Sequence, residues 1–310
     1  MRYPISIQAS HVRGAALLAM SGAVALLAMA GPAQAAPLNP AGHVQVEVIG
    51  SGTPVLMIPG LNSGAAVWRD TCAALQPGVE CHLVQLPGFA GAPAATPMPD
   101  DFLPAMRDEL LAYVSQHALK RPAVVGHSLG GVLALQMAIT APDALGPVVI
   151  VDALPFYAAI QNPAASVDSM RPMAAQIRDG MLSSDPVAYQ AQIAASMKGM
   201  VQTPAHLETL LRWGKDSDRA TTAAAMYSML GHDLRGDIAA IRVPVLVLGS
   251  WSAYRSFGAT EASTRGIFEA QYAQLPGVRI AMSATGYHFL MWDDPQWLHE
   301  QVRGFLAGTR

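Results

Sequence analysis

The chain has 310 residues, 52% of them hydrophobic, and a formal net charge of −3 at neutral pH. That length suits one large α/β domain carrying an insertion, or two domains, and is ample to bury a sizeable core. The charge is slightly acidic with no basic cluster, which excludes nucleic acid and anionic membrane surfaces as expected partners.

Residues 1–35 carry the pattern of a secretory signal. Arg2 and Arg13 form the positive region, Ala15 to Ala30 is apolar, and Ala33-Gln34-Ala35 is an A-x-A cleavage pattern. The apolar run is shorter than the ~20 residues a spanning helix needs. No twin arginine precedes it, so the general secretory route is the reading. The expectation is an exported protein, periplasmic or extracellular, with no membrane anchor after processing. Loss of two arginines with the leader shifts the formal charge from −3 to −5.

From residue 36 onward, strand and helix patterns alternate. Val44 to Val48 alternates with polar residues, as an edge strand does. Val55-Leu56-Met57-Ile58 is a short apolar strand ending at Pro59-Gly60, and Ala65 to Leu75 is helical. His82 to Leu86 is a strand ending at Pro87-Gly88. Asp100 opens a helix in which Phe102, Met106, Leu110 and Val114 recur at helical spacing. Ala123-Val124-Val125 is a strand, followed by the helical pattern of Gly131 to Ala138. Val148 to Val151 is a continuous β-branched run, the mark of a strand buried on both faces. Val243 to Leu248 and Val278 to Met282 are the last strands, and Pro295 to Leu306 the last helix. This alternation predicts an α/β fold, a mostly parallel doubly wound sheet with helices on both faces. Residues 155–237 break it, with no strand-like run and seven of the chain's 16 methionines. They read as a helical insertion, its methionines serving as core packing or as a soft apolar lining. Cys72 on a predicted helix and Cys81 at the next strand are placed to form a disulfide in an oxidising compartment.

Between the sixth and seventh of these elements stands Gly126-His127-Ser128-Leu129-Gly130, a G-x-S-x-G sequence. Strand, sharp turn and helix are the context a nucleophile elbow requires, with glycines permitting the turn beneath a strained serine. Ser128 is the expected nucleophile. Such a serine needs a base, an orienting carboxylate and an oxyanion hole. His288, in Thr285-Gly286-Tyr287-His288-Phe289 after the last strand, is the expected base. His127 fills the variable position of the motif and must point away from the hydroxyl. His232 is a weaker rival, while His43, His117 and His299 fall near element ends and read as surface residues. The oxyanion donors are expected to be the N–H groups of Leu129 and of Leu61, in the loop Pro59-Gly60-Leu61-Asn62. Asn62 is the neighbouring alternative, with a side chain able to face substrate.

Taken with Leu86-Pro87-Gly88-Phe89, Val243 to Gly249 and Gly286-Tyr287-His288-Phe289, these motifs make the chain resemble the α/β-hydrolase superfamily. The resemblance covers nearly all of residues 36–310. It implies a core of 36–154 and 238–310, with 155–237 as a helical cap inserted after the family's sixth core strand, here Val148–Val151. The family usually places its acid shortly after the strand that here ends at Leu248-Gly249. No carboxylate follows there until Glu261, and Ser252 stands at the acid position. A second placement in the family, directly after the sixth strand, is filled by Asp152. A carboxylate ending an apolar strand is partly buried and needs a partner, which an imidazole N–H would supply. Asp152 is therefore the expected acid, with Glu261 and Asp233 as alternatives.

The serine disfavours dehalogenase and epoxide hydrolase chemistry, which this fold runs on aspartate. No G-x-G-x-x-G, P-loop or H-E-x-x-H occurs, so no cofactor and no metal are expected. The expected activity is a serine hydrolase acting on a small-molecule acyl substrate: an ester, thioester or lactone. The alternatives are C–C bond hydrolysis or perhydrolysis on the same triad, or a weakly catalytic ligand-binding protein. Trp251, Tyr254, Tyr287, Phe289 and Trp292 cluster beside the acid and base loops, as pocket walls or as packing at the sheet edge.

Overall fold

Successive residues of a strand face opposite ways, and the central strands of this chain are apolar at every position. The computed structural model describes residues 43–160 and 162–309. In it, alternate residues of each central strand enter two separate cores. Leu56, Ile58, Val124, Val148, Ile150, Val245 and Val247 pack on one face of the sheet. Val55, Met57, Val125, Val149, Val151, Leu246 and Leu248 pack on the other. Helices cover both faces.

The strands are β1 (Gln45–Gly50), β2 (Gly52–Ile58), β3 (Gly78–Gln85), β4 (Ala123–His127), β5 (Val148–Val151), β6 (Val245–Gly249) and β7 (Arg279–Met282). Their spatial order is β1-β3-β2-β4-β5-β6-β7, with β1 antiparallel to β3 and every other pair parallel. The chain leaves β2 towards β3 and then crosses back to β4. The carboxyl ends of β2 and β4 therefore flank the point where the strand order reverses, the place where open α/β sheets bind ligands.

The helices of the core are α1 (Arg69–Leu75), α2 (Phe102–Gln116) and α3 (Leu129–Thr140), joined later in the chain by those after β6. The run Ala65–Leu75, expected as one helix, is a 3₁₀ turn (Ala65–Trp68) leading into α1. α2 starts one residue later than expected, with Asp101 and not Asp100 as its N-cap. Cys72 of α1 and Cys81 of β3 are disulfide-bonded, their Cα atoms 6.1 Å apart.

Between β5 and β6 run α4 (Val167–Ser183), α5 (Pro186–Met197), α6 (Pro204–Asp216) and α7 (Arg219–Gly231). Each begins at a residue whose side-chain oxygen accepts an N–H of the first turn: Ser166, Asp185, Thr203 and Asp218. After β6 come α8 (Glu261–Gln271), α9 (Leu290–Asp293) and α10 (Pro295–Gly308). Among the described residues no helix is long and apolar enough to cross a membrane. The signal sequence read at 1–35 lies outside the described residues.

Candidate active site

The serine turn is built from steric constraints. Ser128 joins β4 to α3 with φ 53° and ψ −119°, a backbone conformation that L-residues rarely adopt. A Cβ at Gly126 would lie 2.2 Å from Gly130 O, and one at Gly130 would lie 2.4 Å from Ile58 O. Neither position can carry a side chain without moving backbone. Ser128 N–H donates to Val151 O (3.0 Å), and Ser128 O accepts the N–H groups of Gly131 and Val132 (2.8 and 3.1 Å). The serine thus continues the β4–β5 ladder while opening α3, whose dipole favours negative charge beside it.

Asp152 follows β5 with φ 47°. Its N–H donates to Leu248 O at 2.7 Å, so it sits over the end of the neighbouring β6. Its carboxylate takes three donors. His288 Nδ1 lies 2.7 Å from Oδ2, Ser250 Oγ donates to Oδ2 at 2.8 Å, and Ser250 N–H donates to Oδ1 at 2.7 Å. With 11% of its side chain exposed, the carboxylate is largely withdrawn from water, and these donors replace the lost hydration. An ionised carboxylate only accepts, so the shared hydrogen belongs to His288 Nδ1, and Nε2 keeps the lone pair.

The rival carboxylates are engaged elsewhere. Glu261 pairs with Arg265 at 3.1 Å and Asp233 with Arg235 at 2.6 Å. His232 pairs with Asp101 at 2.8 Å and His43 with Glu109 at 2.9 Å, while His117 stays exposed. Ser252, at the family's usual acid position, donates to Thr285 O and Gly286 O (2.7 and 2.9 Å), bracing the loop ahead of His288.

The loop after β2 closes against the elbow. Ser63 N–H donates to Gly60 O at 3.2 Å, making a turn with Leu61 and Asn62 at its centre. Asn62 has φ 55°, a value asparagine tolerates better than most residues. A Cβ on Gly60 would lie 3.1 Å from both His127 Nδ1 and Ser128 Cβ, which shows how closely this loop approaches the serine. Leu129 opens α3, so its N–H has no partner within the helix. Asn62 is buried, and its Oδ1 accepts Thr222 Oγ1–H at 2.7 Å from α7. Its carbonyl is therefore committed to α7.

The segment between β5 and β6 also grips the histidine loop. Phe289 N–H donates to Met200 O (3.3 Å), Gln202 Nε2 to Thr285 O (2.5 Å) and Gln202 N–H to Asp293 Oδ1 (3.1 Å). Burial pushes the Asp293 carboxyl above the ordinary aspartate range, against the two backbone N–H groups that lower it. His206 of α6 stacks on Trp292 (4.8 Å between ring centroids), which stacks on Phe289 (5.1 Å). Among the five aromatic residues expected near the acid and base loops, Phe289 and Trp292 join this stack, while Tyr254 is exposed.

Sequence reasoning missed two residues at this site. Ser250 looked like an ordinary serine past a strand, and its role depends on a partner 98 positions away. His127 is fully buried, with Nε2 3.0 Å from His288 O. Its only sequence signal was its place at the end of an apolar strand. Ser128 and Asp152 thus stand at the ends of the adjacent strands β4 and β5, and the loop after β7 brings His288 to Asp152, at 2.7 Å from Oδ2. Among the described residues no group of His, Cys, Asp or Glu is spaced to hold a metal ion.

The profile of the alpha/beta hydrolase family matches residues 55–301, most of the chain. The protein belongs to the alpha/beta hydrolase family. This α/β hydrolase is 32% identical over 116 residues to the pimeloyl-[acyl-carrier protein] methyl ester esterase of Aeromonas hydrophila, covering 37% of this chain and 44% of that protein. It is 33% identical over 103 residues to the putative carbamate hydrolase RutD of Klebsiella pneumoniae, covering 33% of this chain and 38% of that one. The chain thus spans less than half the length of the curated relatives it matches. The crystal structure of the enol-lactonase from Burkholderia xenovorans superposes with a TM-score of 0.67 at 16% identity, over 85% of this chain and 96% of that one. An esterase from Thermogutta terrifontis superposes with a TM-score of 0.68 at 20% identity, over 86% of this chain and 93% of that one. At such identities these two likenesses speak to the fold alone.

Proposed function

We propose that this α/β hydrolase cleaves an ester, thioester or lactone of a small acid through an acyl-enzyme on Ser128. The reading rests above all on the 2.7 Å bond between His288 Nδ1 and Asp152, made beside a serine held at φ 53°. Esterases among the relatives support the same bond class.

His288 Nε2, with its lone pair free, takes the Ser128 proton as Oγ attacks the substrate carbonyl. In the substrate complex serine and base stand within hydrogen-bond distance, the geometry that proton transfer requires. The N–H groups of Leu61 and Leu129 hold the developing oxyanion. Asp152 keeps the proton on Nδ1 and stabilises the imidazolium, while Ser250 holds Asp152. The imidazolium then protonates the departing alcohol or thiol, leaving the acyl group on Ser128. Water, deprotonated by His288, attacks that ester, and the acid leaves as Ser128 recovers its hydrogen. Residues 155–237 act as a cap over this centre, and 36–154 with 238–310 as the core. The leader pattern and the Cys72–Cys81 bond favour export.

The test is turnover of p-nitrophenyl acetate, butyrate and octanoate by the wild type and Ser128→Ala. Wild-type turnover with a loss of at least about 10⁴-fold in Ser128→Ala is expected. Equal turnover by the two proteins would overturn the proposal.

A further inference from the structure

The motif G-x-S-x-G leaves its second position free, yet here that residue makes a specific bond. His127 is fully buried, and its Nε2 lies 3.0 Å from the backbone oxygen of His288. A carbonyl oxygen only accepts, so His127 carries its hydrogen on Nε2. Its Nδ1 is buried without a partner, on the side that abuts Gly60. The ring lies 4.6 Å from both the His288 and the Phe289 rings, and meets Trp68 edge-on at 6.5 Å. Burial first, then the nearby His288, hold its pKa well below the ordinary histidine value, against the backbone bond that raises it. The ring is therefore neutral, and adds no charge to oppose an imidazolium forming on His288.

We propose that His127 is a positioning residue that fixes the backbone of His288 relative to the adjacent Ser128. This rests on the Ser128–His288–Asp152 reading above. The two side chains bonded to or through His288 divide the work. Asp152 sets the tautomer and rotation of the imidazole. His127 sets where the residue itself stands with respect to the nucleophile, because it is covalently next to Ser128 and hydrogen-bonded to His288. Ser252, Gln202 and Asp293 brace the same loop, but at Thr285, Gly286 and Tyr287, ahead of the histidine itself.

The experiment compares His127→Phe, which keeps an aromatic ring and loses the donor, with His127→Gln, whose amide N–H can reach the same carbonyl. Turnover of p-nitrophenyl butyrate, KM and thermal midpoint are measured for each, beside Ser128→Ala and Asp152→Asn. His127→Phe is expected to lower kcat about 10²-fold with KM within about threefold, the cost of a misplaced catalytic group. His127→Gln is expected to recover at least about tenfold of that loss. The double variant His127→Phe/Asp152→Asn is expected to lose far less than the product of the single losses, because both act through His288. Should His127→Phe not fold, His127→Met serves as the donor-free variant, since its flexible side chain adapts to irregular gaps. Three results would overturn the proposal: wild-type kcat in the donor-free variant, equal losses in the Gln and donor-free variants, or a multiplicative double variant. If Ser128→Ala itself stays active, the triad reading falls, which is a separate outcome.

Discussion

Asp152→Asn changes one oxygen to an amide nitrogen, and the surrounding donors decide which one. Ser250 N–H, a backbone group that cannot reverse, donates to Oδ1 at 2.7 Å. The amide oxygen must stay there. The new NH₂ group then faces His288 Nδ1 and Ser250 Oγ, where Oδ2 accepted at 2.7 and 2.8 Å. Ser250 can rotate its hydroxyl and accept. His288 can accept only by moving its proton to Nε2, and that removes the lone pair the serine proton needs. The geometry survives while the base is lost. The expected fall in kcat is about 10⁴-fold, or about 5 kcal/mol of transition-state stabilisation. The assay is kcat and KM for p-nitrophenyl butyrate, with circular dichroism and a thermal midpoint to show an intact fold. A folded Asp152→Asn within about tenfold of wild type would refute the tautomer argument and send the search for the acid to Glu261 or Asp233.

Ser250→Ala removes one of two donors on Asp152 Oδ2 and leaves the backbone bond to Oδ1. A loss of about tenfold in kcat, the worth of one hydrogen bond to a charged group, is expected with KM unchanged; steady-state kinetics will show it. Acid should weaken the fold through His127. Its folded pKa is depressed, so below about pH 6.5 the unfolded chain takes up a proton that the folded chain does not, and stability falls as pH falls. Urea unfolding of wild type should lose about 1.4 kcal/mol more than His127→Gln between pH 7.5 and 5.5, and equal losses would count against the buried neutral ring. Reduction of Cys72–Cys81, nine positions apart, should lower unfolding free energy by about 2–3 kcal/mol through the added freedom of the unfolded loop; denaturation with and without dithiothreitol measures it.

The sheet was legible because its physics is local. Val148 to Val151 and Val245 to Leu248 are apolar throughout since both faces of a parallel strand are buried, and no partner need be known to see it. The elbow was legible for a similar reason: glycines two residues either side of a serine meet a steric need that the backbone alone imposes. Asp152 could be singled out off the usual pattern because a carboxylate at the end of such a strand is costly without a donor. The remaining contacts join distant segments of the chain. Ser250 to Asp152, Asn62 to Thr222 and His127 to His288 span 98, 160 and 161 positions. No periodicity or spacing encodes which element comes to lie over which. Element ends were also blurred. The start of α1 depends on a 3₁₀ turn whose first amide, Ala65 N–H, is held by Gln85 of β3.

The central claim is a covalent intermediate on one hydroxyl, and a stable mimic of it can be weighed directly. The protein is treated with a p-nitrophenyl alkylphosphonate, whose phosphorus forms a bond to the attacking oxygen as p-nitrophenol leaves, and peptides are mapped by mass spectrometry. One phosphonyl group per chain on the peptide carrying Ser128 is expected, with loss of esterase activity in step and no adduct in Ser128→Ala. Esterase turnover that persists with Ser128 unmodified, or an adduct on another residue that accounts for the lost activity, would contradict the acyl-enzyme on Ser128.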